Sequence, residues 1–205
     1  CPNEPGQPRS YLKQEPAVLR ANQHGFDAIK QFNSRALALS NMGHPVDKIE
    51  ILVLGGTWES YPIEYREEFV RDIFFAANTF HEGPDSRKKY TLLQEQNINE
   101  SAECKIIGLT LETRPDTITA KSILHLRKLG CTRIQIGIQH TDDKILEKIN
   151  RQSTTEDTKR AIRLLKNACF KIDAHLMPNL PGSSPEKDKL MFFDMLYNTE
   201  LQVDQ

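Results

Sequence analysis

The chain has 205 residues, a formal net charge of −1, 38% hydrophobic residues and 27% charged residues. That is enough chain for a domain with a full apolar core, in an ordinary globular composition. The near-zero charge excludes a global field that draws in nucleic acid, and no stretch approaches the about 18 consecutive apolar residues of a membrane span.

The chain opens on CPNEPGQPRSYL, a polar, proline-rich segment that begins with Cys1. A helical pattern then runs over Phe26–Met42, with apolar residues at Phe26, Ile29, Phe32, Ala36, Leu39 and Met42. It stops at Gly43, a C-terminal signal. Ile49–Leu54 (IEILVL) reads as a buried strand and ends in Gly55-Gly56-Thr57. Pro62–Phe80 is the next helix, with Tyr65, Phe69, Ile73, Ala76 and Phe80 on one stripe. His81–Glu103 is polar, carries Gly83-Pro84-Asp85, and reads as a long excursion or partly disordered loop.

Lys105–Leu111 (KIIGLTL) is the second strand, followed by Glu112-Thr113-Arg114-Pro115-Asp116. Thr117–Leu129 is a helix that ends at Gly130. Arg133–Ile138 (RIQIGI) is the third strand, closed by Gln139-His140. Thr154–Ala168 is a helix with Thr154 and Asp157 in capping-box spacing. Lys171–Met177 (KIDAHLM) is the fourth strand and leads into Pro178-Asn179-Leu180-Pro181-Gly182. Ser184-Pro185-Glu186 starts a last helix with a cap and Pro at the first position.

Alternating strands and helices with short joints predict right-handed crossovers and a parallel α/β sheet. Four strands do not close a barrel, so the chain reads as one domain, 1–205, cut from a larger α/β domain. A strand is expected before residue 1 and another after Gln205. In parallel α/β folds ligands gather at the C-terminal strand ends. There the sequence collects Gly55, Gly56, Thr57, Glu112, Arg114, Gln139, His140, His175, Met177 and Asn179. Singly, each has a bland reading as a turn, a cap or a structural histidine; together they favour a ligand site without naming the ligand.

The four cysteines are scattered, with no Cys-x-x-Cys pair, so a disulfide scaffold is disfavoured and a reducing, intracellular, cytoplasmic setting is expected. Cys104, Cys131 and Cys169 precede strands, on the face opposite the polar rim, and are expected to be small buried hydrophobes. Cys1 follows the expected missing strand and falls on the working rim. Basic residues bunch at Arg9–Arg20 and at Lys159–Lys171. Solvated faces are the first reading of both.

The segments CPNEPGQPRSYL, EPAVLRA, GHPVDKIEILVLGGTW, GLTLETRPD, GCTRIQIGIQ and HLMPNLPG resemble the radical S-adenosylmethionine (SAM) domain of the Elongator catalytic subunit family, which modifies tRNA and also carries an acetyltransferase domain. The resemblance runs along nearly the whole chain. It implies a partial TIM-like (βα)6 radical SAM barrel without the acetyltransferase domain. It also implies a [4Fe–4S] cluster held by three cysteines, of which Cys1 looks like the last, leaving one iron open for SAM. Gly55, Gly56 and Thr57 match the turn whose backbone approaches the methionyl amino group of SAM. Glu112 would bind ribose hydroxyls or that amino group. Arg114 would pair with the SAM carboxylate or with Glu112, and Gln139, His175 and Met177 would surround the ribose and adenine. Lys48 matches a lysine associated with acetyl-CoA, although its place before the first strand fits a structural role equally well.

The implied chemistry is reductive cleavage of SAM to a 5′-deoxyadenosyl radical, hydrogen abstraction from the acetyl group of acetyl-CoA, and addition to a wobble uridine leading to 5-carboxymethyluridine. The implied partners are tRNA, acetyl-CoA and, in eukaryotes, other Elongator subunits. A radical SAM enzyme with a different substrate and a degenerate RNA-binding or scaffold barrel both remain open. A hydrolytic or aldol-type barrel lacks a well-placed nucleophile, Schiff-base lysine or metal cluster.

Overall fold

The structure is a computed structural model that describes Pro5 and residues 11–205. The four expected strands form one sheet in the order β1-β2-β3-β4: Lys48–Val53, Lys105–Thr113, Arg133–Gln139 and Lys171–Leu176. The β2–β3 and β3–β4 pairings are parallel. The eight helices among the described residues are α1 Pro16–Gln23, α2 Ala28–Asn41, α3 Ile63–Asn78, α4 Leu92–Asn99, α5 Ala120–Lys128, α6 Asp143–Lys148, α7 Thr155–Asn167 and α8 Pro185–Tyr197. This is the expected α/β architecture of a partial TIM-like barrel. The chain falls into two compact units, Cys1–Leu109 and Thr110–Gln205, and β2 runs through the division.

In the first unit α2 and α3 cover β1. Phe32, Ala36, Ile73, Ala76, Ala77 and Cys104 are buried together, with Ile49, Ile51 and Val53 packed against them. Asp27 caps α2 by accepting from the Lys30 N–H at 2.9 Å, and Gly43 ends it with φ +85°. A conformation of that kind costs glycine little.

The stretch 81–103 is not a disordered excursion. Thr91 and Gln94 form a reciprocal capping box that starts α4. Glu95 on α4 is fully buried. It accepts from the Arg87 guanidinium at 2.8 and 2.7 Å, from the Tyr90 N–H at 2.9 Å and from the Asn78 amide at 2.9 Å. Arg87 lies over the rings of Phe75 and Tyr90. Asn99 extends the network, donating to Asn78 at 2.8 Å and to the Cys104 carbonyl at 3.0 Å. A polar sequence thus folds around one ion pair whose donors and acceptors are satisfied, the condition under which burial of charge is tolerated. The chain periodicity hides it because few apolar residues take part.

In the second unit helix starts follow the expected signals. Thr154–Asp157 is a full capping box, and Ser184 accepts from the Lys187 N–H with Pro185 at the first turn. The expected helix from Thr117 begins later: Pro115–Thr117 is a 3-10 turn, and Thr119 caps α5 instead. Leu126, Leu129, Ile134, Ile136, Ile162, Leu165 and Ile172 make the core between sheet and helices, each 0 to 1% exposed. Asp204 and Gln205 hydrogen-bond along the open edge of β4: the Asp204 N–H donates to the Ile172 carbonyl at 2.9 Å, and the Ala174 N–H donates to the Gln205 carbonyl at 2.7 Å.

Candidate functional site

In the first unit β1 hands over to Gly55-Gly56-Thr57 and a 3-10 turn at Trp58–Ser60. Gly56 has φ +79°, a backbone that other residues adopt only under strain. Gly55 differs: a Cβ there would meet the Tyr61 hydroxyl at 3.6 Å, an ordinary contact. The Thr57 carbonyl accepts from the Ser60 hydroxyl at 2.6 Å. Trp58, Tyr61, Tyr65 and Phe69 pack ring to ring behind the turn, with centroids 5.4 to 6.0 Å apart. Lys48, exposed, opens β1 at the end opposite this turn.

In the second unit strand alternation builds the site. Side chains of a strand alternate between faces. Register pairs Glu112 with Gln135 and Gln135 with Asp173, and pairs Gly137 with His175. One face therefore carries Leu111, Ile134, Ile136 and Ile172 into the core under the helices. The other carries Glu112, Arg133, Gln135, Asp173 and His175. This second face is polar along its length. Arg133 and Asp173 pair on it at 3.0 Å.

Glu112 and His175 approach to 3.7 Å, an ion pair when the imidazole is protonated. They sit on β2 and β4, with β3 between them, and the β3 residue beside His175 is Gly137. Absence of a side chain there leaves space over the strand. The Glu112 carboxylate raises the His175 pKa above its ordinary value, against the opposing effect of burial.

Arg151 enters the same space. Its Nη2 donates to the Gly137 carbonyl at 2.6 Å. A Cβ on Gly137 would fall 2.7 Å from that nitrogen and 3.0 Å from the Gln139 amide nitrogen. Arg151 is flanked by two left-handed residues, Asn150 (φ +56°) and Gln152 (φ +60°). Backbone strain of this kind persists where the surroundings enforce it. Gln139 is itself left-handed, φ +73°, at the irregularity that ends β3. Its carbonyl accepts from the Met177 N–H at 2.8 Å, and Met177 is 44% exposed. Arg114 stands beside the group rather than in it: its guanidinium forks onto Asp116 at 2.8 and 3.1 Å and donates to the Arg151 carbonyl at 2.8 Å.

Among the predicted site residues, the structure thus brings together Glu112, Gln139, His175 and Met177, and it places Arg114 in support. Arg151, Gln135, Asp173 and Arg133 were missed. The signal for the last three was present: RIQIGIQ and KIDAHL alternate polar and apolar residues with period two. Cys1 lies outside the described residues. Cys104 and Cys131 are buried as expected, and burial, reinforced by Asp47, pushes the Cys104 thiol up to about 11. Cys169 corrects the expectation: it is exposed, in a left-handed turn (φ +59°) just before β4.

Among the described residues no group of three or more His, Cys, Asp or Glu is arranged to hold a metal ion. Gln139 Oε1 and Gln135 Oε1 are buried acceptors without a hydrogen-bond partner among the described residues, and a buried acceptor of that kind calls for a donor. Glu112 accepts hydroxyl or ammonium donors, and Arg151 supplies a guanidinium suited to a carboxylate.

Residues 61–193 match the radical SAM superfamily. The chain belongs to that superfamily. Its radical SAM region is similar to the tRNA uridine(34) acetyltransferase of Methanocaldococcus jannaschii, 40% identical over 197 residues, 96% of this chain and 35% of that protein. Against Elongator complex protein 3 of Homo sapiens it is 32% identical over 196 residues, again 96% of this chain and 35% of that protein. The chain spans about a third of the length of these curated relatives. Among solved structures, archaeal Methanocaldococcus infernus Elp3 with an N-terminal deletion superposes with a TM-score of 0.84 at 38% identity, covering 90% of this chain and 42% of that one. Coproporphyrinogen III oxidase from Escherichia coli, a radical SAM enzyme, shares the fold at 16% identity, with a TM-score of 0.54 over 90% of this chain and 36% of that one.

Proposed function

We propose that this chain is the radical SAM portion of an enzyme that uses SAM and acetyl-CoA to form 5-carboxymethyluridine at the wobble position of tRNA. The observation that carries the reading is the likeness of 90% of this chain to archaeal Elp3, 38% identical at a TM-score of 0.84. On the polar face of the second unit, Glu112 accepts from the ribose hydroxyls or the methionyl ammonium. Arg151 meets the methionyl carboxylate, a pairing favoured by the planar guanidinium. Gln139 offers its unpartnered acceptor to an adenine or ribose donor, with His175 and Met177 beside it. Arg114 holds the Arg151 backbone. Gly55, Gly56 and Thr57 keep the SAM-contacting role implied by the resemblance, with the left-handed Gly56 as its physical support. Lys48 is retained as an acetyl-CoA contact on resemblance alone.

A [4Fe–4S] cluster, with Cys1 as one ligand, supplies the electron that activates SAM when it is bound. The part proposed for the described residues is to bind, orient and shield. The relatives named above point to tRNA as the partner, and to other Elongator subunits where the parent is eukaryotic. Among the described residues no helix is long and apolar enough to cross a membrane. The test is 5′-deoxyadenosine formation by the full-length, anaerobically iron-loaded protein, with and without acetyl-CoA and tRNA. Cleavage that rises with acetyl-CoA supports the reading. Cleavage that ignores acetyl-CoA and tRNA assigns a different substrate.

A further inference from the structure

His140 ends the β3 loop entry, is 1% exposed, and takes no part in the site described above. A buried imidazole has two ring nitrogens to satisfy. The Asp142 N–H donates to Nδ1 at 2.9 Å, so the neutral ring carries its proton on Nε2. Nε2 lies 3.4 Å from Asp188 Oδ1 and 3.4 Å from the Ser183 hydroxyl. Asp188 sits in the first turn of α8, where the helix end favours a carboxylate. The same carboxylate accepts from the Ser183 hydroxyl and from the Asn179 N–H at 2.8 Å. One carboxylate thus gathers the end of β3, the loop after β4 and the start of α8.

That loop needs fastening. Residues 177–182 are largely exposed, and two of them, Asn179 (φ +62°) and Gly182 (φ +95°), are left-handed. The loop begins at Met177, whose N–H is held by the Gln139 carbonyl. Its middle and end are held by Asp188. The first anchor is the last residue of β3, Gln139, and the second is a carboxylate that the next residue, His140, approaches at 3.4 Å. Asp188 is itself kept in place because α8 is tied to the segment after β3 twice more, by Lys187 to Asp142 at 2.9 Å and by Thr141 to Asp194 at 2.8 Å.

We propose that His140 is a positioning residue: through Asp188 it fastens the loop 177–183, so that Met177 and the end of β4 keep the geometry that receives SAM. The proposal rests on the reading of the polar face as the SAM site. His140 touches neither SAM nor the reacting atoms. Its contribution is made through Asp188 and the Asn179 backbone.

The test uses the full-length, iron-loaded protein with SAM itself as the probe. Wild type, His140→Ala, His140→Gln and Asp188→Asn are compared by amide hydrogen exchange over residues 177–183, by equilibrium dialysis of SAM and by thermal melting. His140→Ala and Asp188→Asn are expected to speed exchange at Asn179 about tenfold and to weaken SAM binding about tenfold, the scale of one lost hydrogen bond to a charged group. His140→Gln, whose amide nitrogen replaces Nε2 as donor, is expected to restore most of both. Should His140→Ala not fold, Asp188→Asn carries the same comparison from the α8 side. Faster loop exchange with unchanged SAM affinity overturns the proposal and leaves the SAM site standing. Wild-type protein without SAM affinity overturns the SAM reading, and the positioning role falls with it.

Discussion

Glu112 on β2 and His175 on β4 meet at 3.7 Å across an intervening strand. Their neighbours on that strand are Gln135, beside Glu112, and Gly137, beside His175. The carboxylate raises the His175 pKa above the ordinary 6.5. A raised folded-state value stabilises the fold fully below the ordinary value, and that contribution is lost as pH rises through the raised one. Glu112→Gln should lower the His175 titration midpoint, followed by the ring proton shifts in NMR. An unchanged midpoint would contradict the pairing.

Gly137→Ala tests the space over β3. The added methyl would sit 2.7 Å from Arg151 Nη2 and 3.0 Å from the Gln139 amide nitrogen. Both are ends of flexible side chains and can retreat, so the stability loss should stay near the lower end of the about 1–3 kcal/mol seen for overpacking. SAM affinity should fall further, because the groups that retreat are the ones proposed to bind it. Thermal melting and SAM dialysis on one preparation separate the two effects.

Arg87→Ala removes the partner of a fully buried carboxylate. It should cost about 3–5 kcal/mol, the range for breaking a buried ion pair from one side, and denaturant unfolding measures it. Burial works to raise the Glu95 pKa, but Arg87, the Tyr90 N–H and the Asn78 amide outweigh it and hold the value below the ordinary 4.5. A depressed folded-state value gives stability above the ordinary value that is lost as pH falls through the depressed one. Glu95→Gln should therefore flatten the acid limb of the stability curve.

Thiol labelling distinguishes the cysteines. Cys169 is exposed, whereas Cys104 is buried with its thiol pushed up to about 11. Cys169 should react at the rate of a free thiol in native protein. Cys104 and Cys131 should react only on unfolding. Fast labelling at Cys104 would contradict the packing of the first unit.

The strands and most helix boundaries could be read from sequence because their signals are local. Gly43 and Gly130 stop helices, Thr154 with Asp157 starts one, and short Ile-rich runs mark the sheet. The network around Glu95 was not legible, since Arg87, Asn78 and Glu95 are distant in sequence and polar, and only tertiary packing makes them a core. The candidate site was legible in part. Glu112, Gln139, His175 and Met177 follow from reading the strand ends. Arg151 comes from the turn after the six-residue α6, a helix too short to leave a clear period. Gln135 and Asp173 do not stand out in the sequence because RIQIGI and KIDAHLM read as short apolar strands, whereas their polar residues alternate onto a separate face.

The most direct test of the central claim is the electron paramagnetic resonance spectrum of the reduced, iron-loaded full-length protein, recorded with and without SAM, in wild type and in Arg151→Ala. The account predicts a [4Fe–4S] signal that shifts when SAM is added to wild type, and a shift that needs at least about tenfold more SAM in the variant, the loss of one charge-assisted contact. A cluster signal that SAM leaves unmoved in wild type, or an identical SAM response in Arg151→Ala, would contradict the placement of SAM on this polar face.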